Sequence, residues 1–141
     1  MEQTAIVQTL VGQHRQLQKD LKEVASLTSQ NDHEAEKIHL LLEKFTQDLT
    51  QHLHLENDVF YVELLKKMKE KGQNTEKTEL FIMSMKDIEK EVLTFLNTYN
   101  EGNKIAHSFD EFRHDLPIII ETLILRIETE EAGVYSYWGL F

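Results

Sequence analysis

Apolar residues in this chain recur at steps of three and four, a spacing that builds one face of a helix and excludes strand alternation. A first stripe runs Val7, Leu10, His14, Leu17, Leu21, Val24, and polar Thr28 to Asp32 interrupts it. A second runs Ile38, Leu42, Phe45, Leu49, His52, Glu56, Val59, Glu63, with Lys71-Gly72 as its C-terminal signal. A third runs Phe81, Met85, Ile88, Val92, Phe95, Tyr99, and a fourth Phe109, Phe112, Leu116, Ile119, Leu123, Arg126, Glu130. Five glycines and one proline in 141 residues leave few turns, so the elements must be long. The spacing predicts helices near 4–28, 34–71, 75–100 and 104–131. Pro117 is expected to kink or restart the last, because its nitrogen has no hydrogen to donate. Short connections make sequential neighbours antiparallel. The expected fold is therefore all-α, an up-down-up-down four-helix bundle, with residues 1–141 forming one domain.

Charge and composition remove several function classes. Fifteen basic against 25 acidic residues give a net charge of −10, and the basic residues do not cluster into a nucleic-acid footprint. Lys66-Lys67-Met68-Lys69-Glu70-Lys71 reads as a basic helix end that complements the helix dipole. Cysteine is absent, which excludes disulfides, thiolate clusters and a thiol nucleophile. No apolar run is long enough to span a bilayer, Leu80 to Met83 being as long as any. Met1-Glu2-Gln3-Thr4 is not a signal-peptide start, so the expected location is the cytoplasm. The chain offers no nucleophile–base constellation and no glycine-rich phosphate loop.

The informative residues are those that break the stripes. His14, His52, Glu56, Glu63, Arg126 and Glu130 stand where Leu or Ile would be expected. Buried ionisable groups must satisfy one another or hold a cation. His52 and Glu56 are four apart and leave one helix face together, as do Arg126 and Glu130. The chain also repeats. His14 to Leu21 aligns with Met85 to Val92. His52 to Glu56, followed by Val59-Phe60-Tyr61, aligns with Arg126 to Glu130, followed by Gly133-Val134-Tyr135. Each half is one helical hairpin, and the bundle should carry a pseudo-twofold axis.

On His14, on Gln51-His52-Leu53-His54-Leu55-Glu56-Asn57-Asp58-Val59-Phe60-Tyr61 and on Arg126 to Tyr135, the chain resembles the hemerythrin family, the HHE cation-binding domain, over essentially its whole length. The resemblance implies a four-helix bundle holding a di-iron site on five histidines and two bridging carboxylates. It implies a role in binding or sensing dioxygen, nitric oxide or iron. Carried over by position, His14, His52, Glu56 and Glu130 match metal-ligand positions. The third-helix histidine is missing, with Met85 nearest its place, and the fourth-helix histidine is replaced by Arg126. Val62 stands where the family typically has proline. Both imidazoles of the second half are thus gone, and Arg126 is expected to supply the charge of the second metal.

Three functions remain open on these residues. The first is an iron-binding bundle, mononuclear or di-iron, that takes a small diatomic ligand and works by sensing or storage rather than turnover. The second is a metal-free scaffold that acts on a protein partner. The third is a redox enzyme on Glu56, Glu89 and Glu130 with His14 and His52. Glu89 otherwise reads as a solvated helix edge and Met85 as core. His54 should face water, and His33, His39, His107 and His114 are at most accessory. The aromatic tail from Tyr135 to Phe141 should cover one end of the bundle.

Overall fold

The computed structural model describes residues 2–29 and 34–140, with side chains from Ala5. The His33 expectation lies outside the described residues. The elements are α1 (Glu2–Thr28), α2 (Ala35–Leu55), a π-helical turn (Glu56–Phe60), α3 (Tyr61–Glu70), α4 (Glu76–Thr98), α5 (Gly102–His107), α6 (Phe109–Ala132), α7 (Val134–Tyr137) and a final 3₁₀ turn (Trp138–Leu140). Among the described residues there is no strand.

Two apolar clusters fix how the helices run. Leu17, Leu21 and Val24 of α1 join Ile38, Leu42 and Phe45 of α2, Val92 and Phe95 of α4, and Phe112 and Leu116 of α6. The C-terminal half of one helix therefore meets the N-terminal half of the next, which is the antiparallel bundle expected. Leu10, Phe60, Leu64, Met68, Ile82, Val134, Tyr135 and Trp138 close the opposite end. Of the aromatic tail, Tyr135 and Trp138 cover that end, Phe141 lying outside the described residues: Trp138 stacks on Phe60 with ring centroids 5.0 Å apart, and the Lys67 ammonium lies over its indole.

Three local features depart from the spacing. The second helix is continuous from Ala35 to Glu70 but widens at Glu56–Phe60, where the Tyr61 N–H bonds the Glu56 carbonyl. That turn takes in an extra residue. It shifts the stripe by one position, so Phe60 and Tyr61 are buried while Val59 is exposed and Glu63 is half-buried. The fourth helix is broken at Ser108 and runs through Pro117 without interruption. Gly72, at φ +69°, ends α3 as expected, with the Gln73 N–H bonding the Met68 carbonyl.

Candidate metal centre

His14 lies midway along α1, His52 in the last turn of α2, Glu56 at the start of the π turn, and Arg126 and Glu130 in the last two turns of α6. All five are buried, none more than 3% exposed. They sit between the two apolar clusters, away from water. One ligand atom each from His14, His52, Glu56 and Glu130 falls within 4.8 Å of the others.

Both imidazoles are aimed by residues outside this group. His14 Nδ1 lies 2.8 Å from Glu131 Oε2, and since a carboxylate only accepts, Nδ1 carries the hydrogen. Arg15 in turn holds Glu131. His52 Nδ1 donates in the same way to Gln13 Oε1 at 2.7 Å. The two Nε2 lone pairs are therefore left facing the carboxylates, His52 Nε2 3.4 Å from Glu56 Oε2 and His14 Nε2 3.3 Å from Glu130 Oε1. An acceptor behind each ring is how proteins orient imidazole ligands. Burial lowers the His14 pKa from its ordinary value despite Glu131, which favours the neutral, ligating ring.

Each carboxylate divides its oxygens between two sides. Glu56 Oε2 and Glu130 Oε1 face the histidines. Glu56 Oε1 instead accepts from Arg126 Nη2 at 2.7 Å, and Glu130 Oε2 accepts from the Tyr61 hydroxyl at 2.7 Å. Tyr135 donates to Glu56 Oε2. Glu130 Oε1 is buried with no donor aimed at it, although Arg126 Nε stands 3.5 Å away. Donors around a single small cation bound at about 2.1 Å stand roughly 3.0–3.4 Å apart. Two histidine–carboxylate separations, His52 to Glu56 and His14 to Glu130, match that spacing, and the Glu130 oxygen among them has no hydrogen-bond partner. The residues present could hold a cation on the histidine side.

The charges are unequal. Burial opposes ionisation of Glu56, but the hydrogen bonds it accepts inside the cluster and the Arg126 charge outweigh it and hold Glu56 well below the usual carboxylate range. Burial and the neighbouring Glu56 charge push Glu130 up to about 8. Burial also raises both phenols, Tyr61 and Tyr135.

The other sequence candidates fall away from this cluster. Glu63 is half-buried beyond the π turn, and Glu89 takes a hydrogen bond from Asn57. Met85 is core. His54 is exposed and pairs with Asp58, His39 with Glu43, and His107 and His114 face water. Sequence spacing did not single out four residues that complete the cluster: Gln13, Tyr61, Glu131 and Tyr135. For the tyrosines a signal existed, since each follows its carboxylate by five residues in the two aligned halves. Gln13 and Glu131 lie beside stripe positions and carried none.

A bundle of this topology, with imidazoles and carboxylates from three of its helices meeting in its dry centre, is the framework of helical metal-site proteins. The sequence matches the family described as hemerythrin HHE cation binding domain over residues 5–138, and the chain belongs to that family. Neither a curated protein nor a solved structure matches it. No helix among the described residues is long and apolar enough to cross a membrane.

Proposed function

We propose that this chain is a hemerythrin-like protein that binds one metal ion, iron by preference, on His14, His52, Glu56 and Glu130, and that Arg126 takes the place of a second ion. The observation that carries this reading is the division of the carboxylates. Each turns one oxygen toward the histidines, and Glu56 gives its other oxygen to a guanidinium rather than to open space. A guanidinium stays charged at any relevant pH, so it neutralises Glu56 permanently. Two imidazoles with carboxylate oxygens and open positions suit non-haem iron. Such an ion supplies a seat for a small exogenous ligand, with dioxygen and nitric oxide the candidates.

The chain's own groups do the rest. Gln13 and Glu131 hold the rings in their ligating tautomer. Glu130 releases its proton when a cation arrives. The flanking apolar clusters exclude bulk water. With one ion and no nucleophile–base pair, the role proposed is sensing or storage in a single-domain protein, not turnover.

One observation favours the metal-free scaffold. Arg126 pairs with Glu56 while Glu130 is held near 8, so the buried group balances its charge without any ion. Elemental analysis after growth in iron-supplemented medium separates the two. One iron per chain is expected, rising in the Arg126→His variant, with absorption spectra that change under air and nitric oxide. If wild type carries no metal, the scaffold stands. If Arg126→His alters neither metal content nor stability, Arg126 does not replace an ion.

A further inference from the structure

Tyr135 has no part in the ligand set given above, yet it touches that set at two points. Its hydroxyl oxygen lies 3.2 Å from His14 Nε2, the nitrogen whose lone pair faces inward, and it bonds Glu56 Oε2, the oxygen that faces His52. Its ring is held in place by stacking on the His14 ring, with centroids 5.3 Å apart and planes 17° apart, and by an edge contact with Phe60. Tyr61 occupies the equivalent position in the other half but reaches Glu130 Oε2, the oxygen turned away from His14. The two phenols are thus inequivalent. Tyr135 stands among the inward donor atoms, and Tyr61 stands behind them.

We infer that the Tyr135 oxygen is a fifth donor of this centre, binding ferric iron as a phenolate. The inference rests on the single-ion reading above. Its separation from His14 Nε2 is that of neighbouring donors on one ion, whereas its closer hydrogen bond to Glu56 Oε2 has to open as the proton leaves. On binding, the O–H bond of Tyr135 breaks, the oxygen's electron pair goes to the metal, and the proton leaves to water; no electron is transferred. Charge supports the ferric state. Ferric iron with a phenolate carries the same net charge as ferrous iron with a phenol, so the buried cluster meets no added charge. An anionic oxygen is also a harder donor than imidazole and suits the harder ion.

The test uses the full chain freed of metal and loaded with ferric nitrilotriacetate. Bound iron is measured by elemental analysis, and the visible spectrum is recorded with resonance Raman excitation into any band. A tyrosinate-to-iron band with enhanced phenolate ring vibrations is expected in wild type and in Tyr61→Phe. In Tyr135→Phe, which keeps the ring and its stacking, that band should vanish while iron remains bound. Iron bound by wild type without a tyrosinate band, or a band that survives in Tyr135→Phe, overturns the inference and leaves the single-ion reading intact. No iron bound by wild type overturns both. If Tyr135→Phe does not fold, the ring vibrations of wild type with those of Tyr61→Phe decide the matter.

Discussion

Replacing Arg126 by methionine keeps the length of the stem and removes the guanidinium. Glu56, fully buried, then loses the donor 2.7 Å from its Oε1. Breaking a buried ion pair from one side costs about 3–5 kcal/mol, because the remaining charge has no solvent to turn to. At about 3 °C per kcal/mol for a chain of this size, the midpoint of thermal unfolding should fall by roughly 10–15 °C. Urea unfolding of the metal-free protein gives the free energy directly, and the slope of the transition should be unchanged. Glu56→Gln added to Arg126→Met removes the stranded charge, so the double variant should recover part of the loss. The deficit of the single variant should also shrink as pH falls toward the ordinary carboxylate range, where Glu56 takes up a proton. A loss below about 1 kcal/mol, or a double variant weaker than Arg126→Met, would refute the account of Arg126 as the standing counter-charge.

Three further outcomes follow from the same geometry. Gln13→Ala or Glu131→Ala frees an imidazole to turn and should weaken iron binding about 10–100-fold in a competition titration, whereas His54→Ala, at an exposed ring, should not; equal affinities in all three would sink the orienting role. Burial lowers the pKa of His14 in the folded chain, so below about 6.5 the unfolded chain binds the proton more readily. Glu130, raised to about 8, works in the opposite direction, so the test uses Glu130→Gln: urea midpoints of that metal-free variant should drop between pH 7.5 and 5.5, and flat midpoints would contradict a neutral buried ring. Gly133 has no room for a methyl, since a Cβ there would sit 2.9 Å from the Thr129 carbonyl oxygen. Gly133→Ala should cost about 1–3 kcal/mol by thermal denaturation, and an unchanged midpoint would show that the chain relaxes there.

What the sequence disclosed and what it hid divide along physical lines. Leu17, Ile38, Phe95 and Phe112 could be placed in the core because a period near 3.6 forces them to one face. His14, His52, Glu56, Arg126 and Glu130 were visible for the same reason, as polar interruptions of that face. The period failed where the backbone departed from it. Val59 and Glu63 belong to the stripe only if the helix stays ideal, and the wide turn at Glu56 moves Phe60 and Tyr61 into their place. Pro117 suggested a break, but the break falls at Ser108, and the helix carries the proline within its span. Gln13 and Glu131 escaped notice because their function is a contact across helices, which no single-helix pattern records.

The wide turn in the first hairpin has a counterpart at Gly133, where α6 ends and the chain bends before Val134. In an unbroken α-helix, groups five positions apart point about 140° away from each other, so a carboxylate and its following phenol could not both face the axis. One hairpin solves this by swelling its backbone and the other by interrupting it. Each arrives by its own route at one buried phenol bonded to a carboxylate of the cluster. The quantity the two halves share is thus a residue count, and losing a single residue between Glu56 and Tyr61, or between Glu130 and Tyr135, would retain every functional group while scattering their directions.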